Sequence, residues 1–370
     1  MSEQTGKKTN LAGTLRAGFR RINASIRTRP WLQFILFGFA LILFGLGPYI
    51  GFTAGSTVSI MGRIVLYTVV ALGLNILLGY SGMVSLATAG FVGAGALGIG
   101  VFVVEFGLPF ELAALLTLVI GGLLGVVVGL LSLRVSGIYL AIGTLFVGEI
   151  LRQIYTSVAI FGGEAIRIGS LTFLGSIELD RNMPYTIGGN VFFDRYFLYI
   201  ILVVVMVIVL ILSRNLVKSH TGRALMALSR SENAAQSMGV NLMKYRVTAF
   251  VFATILATLG GVLYALYYQD APTRQWNILL SLMLLAIVVV GGMKSFFGIF
   301  LGSFIIYGIP SLFLREYFGD VSYILSGVLI IVVIMFYPKG FIFIGHDLKR
   351  QIGRLKRFIK ERRARRHDTT

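Results

Sequence analysis

The sequence has 370 residues, of which 56% are hydrophobic and 13% are charged, and its mean hydropathy is +0.87. This composition excludes a soluble globular protein and indicates an integral membrane protein. The chain has no cysteine and three histidines far apart in sequence, which gives no basis for a disulfide framework, a zinc site or a haem site. The formal net charge of +18 is explained by membrane topology, as described below, so no nucleic-acid partner is expected.

The apolar runs are long enough to cross a bilayer as helices, and they do not alternate polar with apolar residues as membrane β-strands do. We therefore predict an all-α integral membrane protein with about ten transmembrane helices. The predicted spans are residues 33–50, 61–78, 91–106, 109–133, 137–158, 196–212, 247–268, 278–290, 296–314 and 321–337. The third and eighth are short for a full crossing, which indicates tilt, extension beyond the apolar run or a broken helix.

In this arrangement most of the 33 lysines and arginines fall on one side of the membrane. By the positive-inside rule that side is the cytoplasm, so both termini are predicted to be cytoplasmic. The chain divides into a basic tail (residues 1–30), a transmembrane region (31–340) and a basic amphipathic tail (341–370). Either the tails contact membrane lipid headgroups or they remain solvated.

One sizeable segment, residues 159–195, is predicted on the extracytoplasmic side. It is too short for a catalytic domain. Its position suits a cap over a pathway or a landing surface for a soluble partner, and an ordinary connecting loop is the alternative.

The second and third spans are joined by a stretch that combines small polar side chains with many glycines. A broken helix exposes backbone groups to a passing solute, and glycine favours such a break. We predict a discontinuous segment around residues 79–91 that lines a substrate pathway, with close helix packing as the alternative. The candidate pathway residues are Asn75, Gly79, Ser81, Gly82, Ser85 and Thr88.

Glu149 and Arg152 are ionisable residues inside the fifth predicted span. Because they are three residues apart, they share a helix face and are predicted to form an intramembrane ion pair. Such a pair marks either a substrate or proton path or a structural lock between helices, and the sequence leaves both open.

The sequence contains no phosphate-binding loop of the form G-x-x-x-x-G-K-[ST] and no G-x-S-x-G or H-E-x-x-H motif. We therefore expect a transport protein, not an enzyme, with no cofactor or metal of its own. The polar interval 213–246 carries several basic residues and Glu232 as its one acidic residue, which predicts a cytoplasmic loop. A separate motor protein would need such a loop as its point of attachment.

Several motifs resemble those of the LivM-type permease subunits of branched-chain amino acid importers, which belong to the ATP-binding-cassette class. They are LNILLGYSG at 74–82, GIYLAI at 137–142, GEILR at 148–152, GRAL at 222–225, AAQSMGVN at 234–241, VVGG at 289–292 and YPKG at 337–340. The motifs occur in the same order as in the family, from the second predicted span to the tenth.

The resemblance implies a heterodimeric permease in the bacterial inner membrane. The implied partners are a second, LivH-like permease subunit, two ATPase subunits that are LivG-like and LivF-like, and an extracytoplasmic solute-binding protein. ATP and Mg would be bound by the ATPase subunits, since this chain has no site for them.

The interval 213–246 then resembles the coupling loop of importer permeases, in which Glu-Ala-Ala is followed by three further residues and then Gly. Ala234, Ala235 and Gly239 fit this spacing, whereas Glu232 stands one position early. Small residues let a short helix enter a cleft of the ATPase, and a glycine lets the chain turn out of it. The predicted coupling residues are Arg223, Arg230, Ser231, Glu232, Ala234, Ala235 and Gly239.

A second departure concerns the solute. Met83 and Thr88 stand where relatives commonly have Gln and His, and related systems move urea, amides or other small amino acids. We predict import of a branched-chain or related small amino acid. The alternatives are a permease for urea or amides and a proton-coupled secondary transporter that uses Glu149.

Overall fold

The structure is a computed structural model that describes residues 30–47, 55–135, 137–161, 164–169, 171–173, 177–179, 185–187, 190–192 and 194–314, with residues 327, 328, 331 and 335. Most of these residues are helical. The helices are α1 (Pro30–Gly45), α2 (Gly55–Asn75), α3 (Thr88–Gly100), α4 (Phe110–Leu131), α5 (Ile138–Ser157), α6 (Asp194–Lys218), α7 (His220–Leu228), α8 (Glu232–Ser237), α9 (Leu242–Tyr268), α10 (Ile278–Gly291) and α11 (Phe296–Ser303). Helical turns of other types are Ile76–Tyr80, Val101–Glu105, Ala159–Phe161, Phe304–Gly308 and Pro310–Leu314.

Six helices are long and apolar enough to cross a membrane among the residues that the structure describes. They are Ser56–Tyr80, Thr88–Glu105, Phe110–Leu131, Ile138–Ser157, Tyr196–Lys218 and Leu242–Tyr268. Three further apolar helices are shorter, Trp31–Gly45, Ile278–Gly291 and Phe296–Leu312. The prediction of a helical membrane protein is confirmed. Each of the first nine predicted spans falls on one of these nine helices, and the tenth, 321–337, lies almost wholly outside the described residues.

Short strands form three antiparallel pairs in the segment predicted to be extracytoplasmic and just after α9. They are β1 (Ala165–Arg167) with β6 (Asp270–Pro272), β2 (Leu171–Phe173) with β3 (Ile177–Leu179), and β4 (Tyr185–Ile187) with β5 (Asn190–Phe192). In the first pair Ile166 faces Ala271. That pairing fixes the segment that follows α5 to the end of α9.

Helix α9 forms the centre of the fold and packs along α2, α3 and α4. Glycines make these contacts close, since a side chain at Gly95 would meet Cα of Gly261 at 2.9 Å. On α4, Gly121 and Gly125 lie against Thr258 and Thr254 of α9. Small residues of this kind let membrane helices approach each other at backbone distance.

Candidate functional site

The predicted coupling segment folds as the short helix α8, and both of its ends are fixed by local hydrogen bonds. At the start, the Ser231 hydroxyl accepts a hydrogen bond from the Ala234 N–H at 3.3 Å. At the end, the Val240 N–H donates to the Ala235 carbonyl (3.0 Å) and the Gly239 N–H donates to the Gln236 carbonyl (2.8 Å). Gly239 has a φ of 81°, so the helix closes with the glycine turn of a Schellman motif.

The two alanines of the coupling segment differ in exposure. Ala235 is buried within this chain, whereas Ala234 is exposed, because α8 packs one face against α7. Ser231, Arg223 and Arg230 are also exposed. Only the outer face of α8 is therefore open to another protein, and Ala235 supports that face from inside.

Glu232 pairs with a residue of its own chain, Arg246 at the start of α9. The Arg246 side chain is only 7% exposed, and its guanidinium also donates to the Ser132 carbonyl at 2.9 Å, just beyond α4. One buried cation thus joins α8, α9 and the end of α4. This role of Arg246 could not be predicted from the sequence, because Glu232 and Arg246 belong to separate helices.

The second candidate region begins where α2 ends in the turn Ile76–Tyr80 and continues through non-helical residues 81–87 to α3. Hydroxyl groups of two other helices accept hydrogen bonds from its backbone. The Leu86 N–H donates to the Thr144 hydroxyl of α5 and the Ala89 N–H donates to the Ser281 hydroxyl of α10, both at 3.0 Å. Because lone hydroxyls are common in apolar spans, Thr144 and Ser281 could not be singled out from the sequence.

A clamp joins the turn Ile76–Tyr80 to the loop between α10 and α11. The Asn75 side-chain oxygen accepts from the Lys294 N–H at 2.9 Å, and the Tyr80 hydroxyl donates to the Lys294 carbonyl at 2.7 Å. Asn75 is fully buried, and its side-chain nitrogen has no hydrogen-bond partner among the described residues. Gly79 is required here, since a side chain would meet the Asn75 amide oxygen at 2.7 Å.

Of the six predicted pathway residues, Gly82 is exposed and the other five are buried. Ser85 and Thr88 line one small cavity together with Phe91, Phe250 and Thr254. Its volume of about 10 Å³ is at the lower limit for one water molecule. In this conformation the cavity beside Ser85 and Thr88 is too small for an amino acid.

The two candidate regions meet at Gly82. A side chain there would lie 3.4 Å from Cβ of Ser229, the residue that follows α7. The turn Ile76–Tyr80 also contacts α7. A displacement of α7 and α8 therefore reaches the discontinuous segment through direct contact.

Glu149 and Arg152 pair with each other on α5, where the Arg152 Nε donates to both carboxylate oxygens at 2.9 Å. Their side chains are 46% and 28% exposed, so the pair lies on an open face of the described structure. Among the described residues, no cluster of His, Asp or Glu side chains is placed to hold a metal ion.

Residues 56–334 match the family described as "Branched-chain amino acid transport system / permease component". The high-affinity branched-chain amino acid transport system permease protein LivM of Escherichia coli K12 is 30% identical over 301 residues, which cover 77% of this chain and 69% of that protein. The probable LivM of Methanocaldococcus jannaschii is 25% identical over 329 residues, covering 75% and 90%.

The autoinducer 2 import system permease protein LsrD of Escherichia coli K12 is more distant, at 24% identity over 275 residues, covering 72% of this chain and 79% of that protein. No solved structure gives a significant match. The family match spans most of the chain, including α8 and the residues between α2 and α3. The chain therefore belongs to the permease-component family of branched-chain amino acid transport systems, as its motifs predicted.

Proposed function

We infer that this chain is a permease subunit of an ATP-binding-cassette importer and forms half of a pathway for branched-chain or related small amino acids. Family membership supports the transport role. The observation that carries the coupling role is the buried Arg246, which ties α8 to the central helix α9 through Glu232. A docked ATPase that moves α8 would thereby move membrane helices.

The proposed docking surface is the outer face of α8, with Ala234, Ser231 and the exposed Arg223 and Arg230. Two ATPase subunits, one LivG-like and one LivF-like, would bind and hydrolyse ATP with Mg. Their closure would reach the substrate pathway by two routes, the Glu232–Arg246 pair and the contact of Ser229 with Gly82.

We place the solute pathway beside the discontinuous segment at residues 79–91, with Asn75, Ser85 and Thr88 as its polar groups. All three side chains are buried, and the cavity that Ser85 and Thr88 line has a volume of only about 10 Å³. Opening requires the clamp on Lys294 to loosen, because that clamp fixes the end of α2.

The partner LivH-like permease is proposed to cover the open face of α5. Glu149 and Gln153 are exposed on successive turns of that face, and polar groups of this kind within a membrane normally face protein or water. A solute-binding protein would deliver the amino acid at residues 159–195. The chain is proposed to have ten spans and both termini in the cytoplasm, and to lie in the bacterial inner membrane.

Tryptophan at the two adjacent alanines tests the docking surface. Ala234→Trp adds bulk to an exposed position, so we expect a normally folded chain that loses the ATPase subunits and uptake. Ala235→Trp adds the same bulk to a buried position, so we expect a lower unfolding temperature of the permease itself. The measurements are ATPase retention during purification and thermal unfolding of the detergent-solubilised complex.

An Ala234→Trp complex with full ATPase retention and full uptake would contradict this docking surface. The solute is tested separately with the reconstituted complex and its binding protein, by uptake of radiolabelled leucine against urea. ATP-driven leucine uptake that resists a protonophore is expected, whereas uptake by this chain alone that the protonophore abolishes would favour a secondary transporter.

A further inference from the structure

An open cavity of about 500 Å³ lies between the start of α1, the end of α6 and the loop that joins α10 to α11. Three basic residues line it, Arg214, Lys218 and Lys294. Its apolar lining includes the aromatic side chains of Phe34, Phe296 and Phe297. The sequence predicted each basic residue on the cytoplasmic side separately, and the fold brings them to one place.

The charges of this cavity are unbalanced, since no Asp or Glu is among its described lining residues. Arg214 and Lys218 are four residues apart on α6 and therefore share one face, where like charges repel. The Arg214 guanidinium lies 5.6 Å from the ring centre of Phe34, a cation–π contact that leaves its net charge in place. A bound anion would relieve the repulsion.

Lys294 occupies a backbone conformation that lysine seldom adopts. Its φ is 70°, in the left-handed region where glycine or asparagine is usual. The backbone hydrogen bonds to Asn75 and Tyr80 need no particular side chain at this position. What lysine adds over glycine is a cationic side chain in the cavity wall.

We propose that this cavity binds an anionic phospholipid of the inner leaflet. The three cations would hold the phosphate, and the phenylalanines would contact the upper acyl chains. Basic pockets between membrane helices on the cytoplasmic side recognise such headgroups. Since Tyr80 and Lys294 belong both to the cavity wall and to the clamp, the lipid would stabilise the closed end of α2. This binding goes beyond the transport function and requires neither solute nor ATP.

Lipid retention by the purified complex, measured by native mass spectrometry, tests the site. The complex is titrated with phosphatidylglycerol and, in parallel, with phosphatidylcholine. We compare wild type, Arg214→Gln/Lys218→Gln, and Lys294→Asn, which removes the charge but tolerates the left-handed backbone. Arg134→Gln is the matched control, because Arg134 is an exposed cytoplasmic-side residue outside the cavity lining.

We expect wild type and the control to retain phosphatidylglycerol over phosphatidylcholine. The double variant should lose about tenfold or more in phosphatidylglycerol affinity, and Lys294→Asn about fivefold. Unfolding temperatures in phosphatidylcholine alone should match wild type, which separates lost binding from lost folding.

Three results would overturn the proposal. The first is equal phosphatidylglycerol retention by the cavity variants and the Arg134→Gln control. The second is equal retention of the two lipids by wild type. The third is displacement of the lipid by inorganic phosphate at comparable concentration, which would assign the cavity to a soluble anion.

Discussion

Helices α4 and α5 are consecutive in sequence and similarly open, yet their open faces differ in chemistry. Only 28% of the apolar stretch of α4 and 22% of that of α5 is buried within the chain. The open face of α4 is apolar, with Leu115, Val119, Leu123 and Val127. The open face of α5 includes the Glu149–Arg152 pair and Gln153.

The difference teaches which surface each helix requires. An apolar face is stable against lipid, whereas charged and amide groups at membrane depth need protein or water. The open face of α4 therefore suits lipid, whereas the open face of α5 suits the proposed second permease subunit.

The largest effect is expected from a charge on the α4 face. Leu123→Asp should reduce the membrane-inserted fraction strongly, because an aspartate near a helix centre costs about 3 kcal/mol. Gln153→Asp on α5 is the matched control and should cost much less when the partner subunit is present. The measurement is the carbonate-resistant fraction of the expressed protein. Normal insertion of Leu123→Asp would mean that α4 does not face lipid.

A smaller effect is expected from breaking the ion pair on α5. Arg152→Leu leaves Glu149 without the guanidinium that holds both of its carboxylate oxygens. We expect the retained partner permease to fall about tenfold, a loss of about 1.4 kcal/mol in association. Quantification of the partner in the purified complex measures this.

The double variant Glu149→Leu/Arg152→Leu separates the two interpretations of that pair. If the pair is a structural lock, removal of both charges should restore assembly and uptake together. If the pair lies on the solute path, the double variant should assemble normally but fail to transport. Failure of the double variant to assemble would show that the partner contacts these charges directly.

Structural features that depend on residues close together in the sequence could be predicted from it. Helix α8, the predicted coupling helix, is an example, since the cap at Ser231 and the glycine turn at Gly239 depend on residues within a few positions of each other. The Glu149–Arg152 contact is similarly set by helical spacing.

Contacts between distant elements could not be predicted in this way. In the sequence Arg246 is one of several basic residues in a predicted cytoplasmic loop. Its contacts with Glu232 and Ser132 arise only from the fold. The same holds for Lys294, whose backbone is held by Asn75 across 219 positions of sequence. Periodicity reports which face of a helix is apolar, but not which partner that face meets.

The smallest expected effect concerns Gln153, whose amide donates to the Ser157 hydroxyl at 2.9 Å on the open face of α5. Gln153→Leu removes this amide from the open face. Because a single polar contact between membrane helices contributes about 0.6 kcal/mol, partner association should weaken about two- to threefold.

Two differently tagged versions of this chain, wild type and variant, are co-expressed with limiting partner, and their ratio in the purified complex is measured. Val119→Leu on α4 should leave that ratio at one. If Gln153→Leu also leaves the ratio at one, the partner does not contact this turn. The surface of α5 that the partner contacts would then include Glu149 but not Gln153.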